Sequence, residues 1–288
     1  MHIPVLQKEV VKYLDPKPNE NFIDCTVGEA GHSMAILEKN GPKGKVLGID
    51  RDKNQILKLK KTERLILVND NFSNLKEIVK KEKFTSVSGI LFDLGMASSH
   101  LEESGRGFSF LRKEPLDMRY DSENPLTAEK ILNYWSESDI ESIIKEFGEE
   151  KFSSQIAKEI IRQRKVRPII STLQLVDILK TAIPYRYQHE RIHLATRTFQ
   201  ALRIAVNDEL NHLKQALPQA IEVLNKDGRL AIISFHSLED RIAKNFFKEK
   251  SITGELKILT KKPIGPGEQE IKINPRSRSA KLRVATKQ

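Results

Sequence analysis

The chain has 288 residues, of which 39% are hydrophobic, and a formal net charge of +10 with a pI of about 9.5. No apolar run approaches the roughly 18 residues that span a bilayer, which excludes a membrane protein, and the first residues show no signal-peptide pattern. Cys25 is the single cysteine, which excludes an internal disulfide framework, so we expect a cytoplasmic protein with one large domain or two modest ones.

The first recognisable unit is a strand, a tight loop and the start of a helix. A β-favouring run, Phe22–Val27, ends at Gly28, and Ser33 stands where a helix N-cap is expected, ahead of an apolar stretch. The second strand pattern ends at Asp50, about 20 residues after the first glycine, where nucleotide-binding α/β units place the acid that binds ribose. The loop alone could be a simple connection, but together the two signals indicate a nucleoside cofactor.

The spacing of this loop disfavours a dinucleotide. It lacks the complete Gly-x-Gly-x-x-Gly pattern that brings a pyrophosphate onto a helix N-terminus, and Glu29 would repel phosphate. A cofactor without phosphates, such as S-adenosylmethionine, therefore fits better.

Strand and helix patterns alternate up to about residue 95. In chain order they are a helix over 52–64, a strand over 65–68, a helix over 74–84 and a buried strand over 87–95. Four βα units in succession predict an α/β fold with a parallel, doubly wound sheet. Asp93 would end the fourth strand at the edge that carries Asp50, where open α/β sheets bind ligands. The alternative for Asp93 is a simple cap on the following loop.

The pattern then becomes helical. Helices are predicted over 127–135, 137–147, 151–164 and 172–181. We interpret residues 104–193 as an all-helical insertion in a discontinuous α/β domain made of residues 1–103 and 194–288. Residues 151–203 hold eleven Lys or Arg against three Asp or Glu, which suits a nucleic acid. The basic helix over 158–167 is either a solvated face or an RNA-contacting one.

The last third returns to the sheet. One long helix is predicted over 196–224, followed by a strand over 229–235, a helix over 238–250 and a final strand over 281–285. Residues 271–288 carry six Lys or Arg and no acid, which again suits a polyanion.

Other chemistries fit poorly. His189 and His193 have a spacing that could hold a metal, but no cysteine cluster accompanies them, so we predict no metal. Ser234, His236 and Asp240 lie close together without the elbow motif of a serine hydrolase. Three aromatic residues in loop-like contexts are candidates for stacking on a base or for ordinary packing: Phe108, Phe110 and Phe235.

Nine motifs together resemble the RsmH (MraW) methyltransferases of bacteria almost from end to end. They are Cys25–Ser33, Gly48–Asp52, Leu91–Gly95, Arg106–Phe110, Pro115–Arg119, Gly148–Glu150, Ala195–Arg203, Ile233–Arg241 and Asn274–Arg276. The resemblance implies a seven-stranded, Rossmann-like methyltransferase sheet with a helical insertion for RNA recognition. It also implies S-adenosylmethionine-dependent methylation of the exocyclic N4 amine of one cytosine in the decoding region of 16S ribosomal RNA, within the small ribosomal subunit.

The resemblance also implies the residues that contact the cofactor. They are Ala30, Gly31, His32, Asp50, Phe72, Asp93 and His100. Ala30 stands where the family generally has glycine, and we expect it to be tolerated if the backbone φ there is negative. His100 replaces a customary glutamine.

Methyl transfer from a sulfonium depends mainly on holding the nucleophile in line and close. The cytosine amine is a poor nucleophile, so an acceptor for its N–H is needed; we nominate Asp93 first, with Asp117 and His236 as further catalytic candidates. The stacking aromatic would be Phe110 or Phe235.

Three other functions stay open at this point. They are a nicotinamide-dependent oxidoreductase, a non-catalytic RNA-binding assembly factor, and a DNA cytosine methyltransferase, which the missing Pro-Pro motif disfavours. The sequence also leaves a homodimer open.

Overall fold

The computed structural model describes residues 3–102, 104–188 and 192–288. The chain forms two compact units, one of Met1–Gly95 with Leu210–Gln288 and one of Met96–Glu209. The second unit is wider than the insertion placed at 104–193, because the helix that starts at Thr196 belongs to its hydrophobic core.

The first unit contains a seven-stranded sheet in the order β3-β2-β1-β4-β5-β7-β6. The strands are β1 (Asn21–Asp24), β2 (Val46–Asp50), β3 (Leu65–Asn69), β4 (Val87–Asp93), β5 (Leu224–Ser234), β6 (Leu256–Ile258) and β7 (Lys281–Lys287). Strands β1 to β5 pair in parallel, whereas β7 is antiparallel to β5 and β6. The doubly wound α/β fold is confirmed, with the correction that the sheet is mixed at one edge.

Some of the helices pack on this sheet within the first unit, and the others form the second unit. In chain order they are α1 (Gln7–Leu14), α2 (Gly31–Lys39), α3 (Lys53–Lys58), α4 (Leu75–Lys81), α5 (Ser98–Glu102), α6 (Ala128–Tyr134), α7 (Glu137–Gly148), α8 (Ser153–Arg164), α9 (Thr172–Ala182), α10 (Thr196–Asn207), α11 (Glu209–Val223), α12 (Ser237–Ile252) and α13 (Glu268–Ile273). Short 3₁₀ turns lie at Phe72–Asn74, Tyr185–Tyr187 and Pro275–Ser279. Within the described ranges, every helix is too short or too polar to cross a membrane.

The central strands are buried on both faces, as expected for parallel strands covered by helices. On β1, Phe22 and Ile23 are both fully buried but belong to different hydrophobic clusters, because successive side chains point to opposite faces of a strand. The same holds for Ile90 and Leu91 on β4. This two-sided packing fixes the register of the strands and hence the position of the residues at their carboxyl ends.

The helical unit has its own core, formed mainly by α6 to α10. The predicted helix starts are present: the side chains of Thr127, Ser136 and Ser171 each accept a hydrogen bond from the backbone three residues on. These local caps explain why the helices here were predictable from sequence.

The single long helix predicted over 196–224 is wrong. Helix α10 ends at Asn207, Asp208 adopts a left-handed conformation with φ of 48°, and α11 starts at Glu209. The Asn207 amide donates to the carbonyl of Met118 at 2.7 Å and accepts from the N–H of Tyr120 at 2.9 Å. The helix breaks at the point where the Asn207 side chain makes these buried hydrogen bonds. The apolar periodicity of the sequence continues across the break and therefore does not reveal it.

Candidate cofactor and catalytic site

Three carboxylates lie at the carboxyl edge of the sheet. Asp24, Asp50 and Asp93 are the last residues of β1, β2 and β4, which are neighbours in the sheet. Since these strands are parallel, their carboxyl ends meet at one edge, where open α/β sheets bind ligands. The structure therefore brings the two predicted acids, Asp50 and Asp93, to the same edge and adds Asp24.

The loop after β1 is anchored by Asp50. Its Oδ2 accepts a hydrogen bond from the Gly28 N–H at 3.0 Å, and its Oδ1 accepts from the Asp52 N–H at 2.9 Å. Gly28 has a φ of 48°, a conformation that glycine adopts without a steric cost. One carboxylate thus fixes both the loop and the start of α3, for which Asp52 is the N-cap.

The loop begins and ends elsewhere than the sequence pattern indicated. Strand β1 ends at Asp24 rather than Val27, because the Asp24 carboxylate accepts the N–H of Thr26 at 3.2 Å and turns the chain. Helix α2 has Ala30 as its N-cap, so Ser33 is not the cap. The Ser33 hydroxyl instead donates to Asp24 at 2.7 Å and ties the helix to the end of β1.

Ala30 does not have the negative backbone φ under which an alanine was expected to be tolerated at this position. Its φ is 61°, in the left-handed region, and its side chain is buried. An alanine in this conformation costs roughly 1–2 kcal/mol relative to glycine. The backbone of this turn therefore favours glycine, and the chain carries a strained alanine there instead.

Substitutions at Ala30 test this account. Ala30→Gly should leave the free energy of unfolding within about 1 kcal/mol, since relief of the strain is offset by the lost methyl burial and the freer unfolded chain. Ala30→Val should lower it by more than about 2 kcal/mol, because a β-branched residue strongly resists a positive φ. Urea unfolding of both variants measures the difference, and equal stabilities would contradict the strained turn.

Close packing requires a glycine at position 31. A Cβ built there would lie 2.2 Å from the Cγ of Pro4, and the Gln7 side chain donates to the Gly31 carbonyl at 3.1 Å. The segment before α1 therefore packs directly on the loop, which requires close backbone approach at this point.

His32 lies buried beside Asp93. Its Nε2 is 3.3 Å from Asp93 Oδ2, without the alignment of a hydrogen bond, and neither ring nitrogen has an aligned partner among the described residues. Burial lowers the pKa of His32, but the carboxylates of Asp93, Asp24 and Glu270 outweigh it, so the pKa lies above its ordinary value. The negative charge at this edge thus favours the protonated form of His32.

This raised pKa makes the contribution of His32 to stability depend on pH. Its stabilising effect is fully present below the unfolded value of about 6.5 and is lost as the pH rises through the folded value. We expect wild type to exceed His32→Gln in free energy of unfolding at pH 6, and the gap to narrow towards pH 9. Urea titrations across that range measure it; a gap that widens with pH would contradict the ion pair.

Asp93 is held by its backbone while its carboxylate stays accessible. Its N–H donates to Thr26 Oγ1 at 2.7 Å, and its Oδ1 accepts the Gly95 N–H at 3.3 Å. The side chain is 17% exposed. Asp93 can therefore reach a ligand without moving the strand end.

Two aromatic rings border this edge. Phe72 packs edge-on against Phe92, with ring centroids 5.5 Å apart. Phe235 approaches Gly95 so closely that a Cβ there would lie 2.7 Å from its ring. Both are only half-buried, so each retains surface for a planar ligand.

His236 has a capping role. It is the N-cap of α12; its Nδ1 accepts from the Glu239 N–H at 3.5 Å, and Glu239 Oε2 accepts from the N–H groups of Phe235 and His236. Its Nε2 lies 3.0 Å from Glu239 Oε1, again without hydrogen-bond alignment. Because Nδ1 is an acceptor, the neutral ring carries its proton on Nε2. These contacts give His236 a structural role, the capping of α12, in addition to any catalytic role.

The remaining nominated residues lie in the helical unit. Asp117 pairs bidentately with Arg119, through contacts of 2.9 and 2.8 Å. Burial raises the pKa of Asp117, but Arg119 and Arg106 outweigh it and hold the pKa below its usual value. Both carboxylate oxygens of Asp117 are thus engaged by Arg119, which leaves Asp117 poorly placed to accept a hydrogen bond from a substrate.

His100 and Phe110 are enclosed by other rings. His100 is buried, with the rings of Phe108 and Tyr120 at centroid distances of 5.4 and 4.8 Å. Phe110 stacks on the imidazole of His193, 4.5 Å away and nearly parallel. One face of Phe110 is therefore covered, which favours Phe235 as the stacking aromatic. His189 lies outside the described residues.

The residues at the sheet edge fit S-adenosylmethionine. Carboxylates suit ribose hydroxyls, which donate hydrogen bonds, and they suit a sulfonium cation, whereas the exposed Glu29 and the acids would repel a pyrophosphate. The buried ring nitrogens of His32, which lack aligned partners, supply polar groups for a ligand. The predicted residues Ala30, Gly31, His32, Asp50, Phe72 and Asp93 all belong to this one unit.

Sequence reasoning missed Asp24 and Thr26. Asp24 is almost fully buried, burial raises its pKa, and its carboxylate connects β1, the loop and α2. Thr26 holds the backbone of Asp93 through its hydroxyl. Both residues lie in the first strand–loop–helix motif of the sequence. The signal that could have identified them is the presence of polar residues at the end of a buried strand.

The chain is similar to known proteins over its whole length. The sequence matches the MraW methylase family over residues 1–288. Proteins named "Ribosomal RNA small subunit methyltransferase H" from Heliobacterium mobile, Halothermothrix orenii and Brevibacillus brevis are 47%, 46% and 44% identical over 99% of this chain and 97–98% of their own. Among solved structures, an rRNA methylase of Streptococcus thermophilus aligns with a TM-score of 0.43 at 11% identity over 100% of this chain and 98% of its own. On the strength of the full-length sequence matches, the chain belongs to the MraW methylase family.

Proposed function

We propose that this enzyme methylates the exocyclic N4 amine of one cytosine in the decoding region of 16S ribosomal RNA, in the cytoplasm and within the small ribosomal subunit. The supporting observation is the accessible Asp93 carboxylate beside buried His32, at the sheet edge whose loop is anchored by Asp50. The full-length relatives, named for small-subunit ribosomal RNA, support the same substrate.

Bound S-adenosylmethionine supplies an electrophilic methyl group on a sulfonium. The amine lone pair of cytosine is delocalised into the ring, so Asp93 would accept an N–H of that amine and favour the orientation in which the lone pair faces the methyl group. The same carboxylate would take the proton that the amine loses when the N–C bond forms and the S–C bond of the cofactor breaks. Thr26 and Gly95 fix the strand end that carries Asp93, which limits the reorganisation needed for reaction. Asp117 and His236 remain weaker candidates because both are held by structural partners.

The cations available to RNA are fewer than the sequence indicated. In the basic helix, Arg164 donates to the carbonyls of Leu132 and Trp135 at 3.0 and 2.7 Å and so closes the end of α6. In the tail, Arg283 pairs with Asp240 at 2.7 Å, and Lys287 donates to two carbonyls near the end of α11. These residues stabilise the fold, so RNA contacts are better sought among the exposed Lys165, Arg167, Lys272 and Arg278.

The proposal is tested by mass spectrometry of 16S ribosomal RNA. Cells without the gene should lack N4-methylcytosine in the decoding region, and wild-type protein should restore it. An unchanged modification pattern would overturn the proposed function. The assembly-factor alternative predicts RNA binding by the purified protein with no transfer of label from the cofactor.

A further inference from the structure

The segment of residues 3–6 and the last helix, α13, meet beside the loop after β1, within the first unit. On α13, Glu270 Oε1 accepts the N–H of Leu6 at 2.7 Å. Directly after α13, the Asn274 amide donates to the carbonyl of Ile3 at 3.1 Å. These two contacts fasten the segment 3–6 to a helix that lies more than 260 positions further along the chain. Neither Glu270 nor Asn274 is among the predicted site residues.

The segment 3–6 packs directly on the loop. Pro4 approaches Gly31 so closely that a Cβ on the glycine would lie 2.2 Å from the proline Cγ. The Gln7 amide, one residue further on, donates to the Gly31 carbonyl at 3.1 Å. Leu6 is fully buried in the hydrophobic cluster that also contains Ala30. A displacement of the segment would therefore shift the backbone of the loop, because close-packed groups leave no room for independent movement.

The conformation of this segment depends on Glu270. Leu6 is the N-cap of α1 and has a φ of 54°, a left-handed conformation that a leucine resists. The Glu270 carboxylate accepts its N–H, and a hydrogen bond to a charged group is stronger than one between neutral groups. Every residue of α13 is at least partly exposed, so the burial of apolar side chains contributes little to holding this helix in place. The hydrogen bond of Glu270 is therefore a main link between α13 and the segment.

Glu270 also lies within electrostatic reach of the loop. Burial lowers the pKa of His32, and Glu270 is one of the three carboxylates that outweigh burial and raise this pKa. The hydrogen bond to Leu6 and the effect on His32 thus agree that α13 lies beside the end of the loop that carries Gly31 and His32.

The order of the strands indicates which end of the cofactor this part of the loop would face. Asp50 ends β2, where the ribose acid is expected; Phe72 follows β3 on one side of it, and Asp93 ends β4 on the other side, beyond β1. His32 Nε2 lies 3.3 Å from Asp93 Oδ2. A nucleoside with its ribose at Asp50 and its base at Phe72 would therefore direct its methionine end towards His32.

We propose that Glu270 is a positioning residue for S-adenosylmethionine: it holds Leu6, and through the segment 3–6 it fixes the Gly31 backbone beside the methionine end of the cofactor. The proposal rests on the proposed function for the place of the cofactor at this sheet edge. Glu270 acts without touching the cofactor, because a preorganised loop binds a ligand at a lower entropic cost than a mobile one.

The test compares Glu270→Ala with Glu268→Ala, which removes a carboxylate from the same first turn of α13 but not the bond to Leu6. Calorimetry measures the Kd of S-adenosylhomocysteine and of 5′-methylthioadenosine, which has the base and the ribose but no amino-acid group. Glu270→Ala should weaken the binding of S-adenosylhomocysteine about tenfold, the effect of roughly one hydrogen bond to a charged group. Binding of 5′-methylthioadenosine should change by less than about twofold, since distant contacts contribute nearly independently. Glu268→Ala should change neither affinity.

A conservative variant separates the hydrogen bond from the charge. The amide oxygen of Glu270→Gln can still accept the Leu6 N–H, so its affinity for S-adenosylhomocysteine should stay within about threefold of wild type. Amide hydrogen exchange of residues 28–32 should be faster in Glu270→Ala than in wild type, and unchanged in Glu268→Ala. Four results would each overturn the positioning role: wild-type affinity in Glu270→Ala, equal losses for the two ligands, equal losses in the glutamine and alanine variants, or unchanged exchange.

These outcomes stay separate from the proposed function, because cofactor binding is measured without RNA. In methyl transfer to the RNA, Glu270→Ala should raise the KM for S-adenosylmethionine about tenfold and keep kcat within about twofold of wild type. If wild type transfers no methyl group, the proposed function fails, whereas an active enzyme whose cofactor affinity ignores Glu270 loses only the positioning role.

Discussion

Replacing Asp93 by asparagine is expected to lower kcat by roughly 10²- to 10³-fold, within the range attributed to a positioned proton acceptor. The asparagine amide is neutral and can present its NH₂ group to the amine of the substrate, whereas the carboxylate is an acceptor only. The variant also loses the charge that faces His32 Nε2 at 3.3 Å. Single-turnover methyl transfer to the RNA measures the chemical step directly.

The cofactor affinity separates catalysis from binding in this experiment. We expect the Kd of S-adenosylhomocysteine to change only a few-fold, because the loop is anchored by Asp50 and not by Asp93. Asp15→Asn is a matched control, since it also neutralises a carboxylate but pairs with Arg229, away from the cofactor edge. Full turnover of Asp93→Asn would remove Asp93 from the catalytic group and leave His236 as the next candidate on this unit.

The parts of the fold that were predictable are those in which local and global signals agree. The βα alternation up to Asp93 and the capped helices after Thr127 and Ser136 follow directly from periodicity and capping residues. Strand β6 was missed because three residues carry no measurable alternation. The break at Asp208 was missed because its cause, the amide of Asn207, acts through residues about 90 positions earlier in the chain.

The site was predictable in its residues but not in its geometry. Strand-end position identified Asp50 and Asp93, since the edge of a parallel sheet follows from topology. The positive φ of Ala30 and the close approach of Pro4 to Gly31 depend on the packing of the first residues onto the loop, which no local pattern reports. The structural roles of Arg164 and Arg283 could not be predicted for the same reason. The sequence does not distinguish a basic residue that faces solvent from one that binds a carbonyl or a carboxylate of the fold.

Removing the Asp50 carboxylate should weaken cofactor binding by about 100-fold. The Asp50→Ala variant loses the acceptor for the N–H groups of Gly28 and Asp52, and hydrogen bonds to a charged group contribute roughly 1.5–3 kcal/mol each. A tenfold change in Kd corresponds to about 1.4 kcal/mol, so the loss of a ribose contact together with the loop anchor reaches about two decades. Calorimetry with S-adenosylhomocysteine measures this change.

Asp50→Asn distinguishes the two roles of this side chain. An amide oxygen can still accept the Gly28 N–H, so the loop should stay anchored, but a neutral acceptor binds a ribose hydroxyl less strongly than a carboxylate. We therefore expect Asp50→Asn to lose about tenfold in affinity and Asp50→Ala about tenfold more, with Asp15→Ala as the unaffected control. Equal losses in both Asp50 variants would mean that the charge alone matters and the loop anchor does not. Wild-type affinity in Asp50→Ala would place the ribose elsewhere and remove the main support for this edge as the cofactor site.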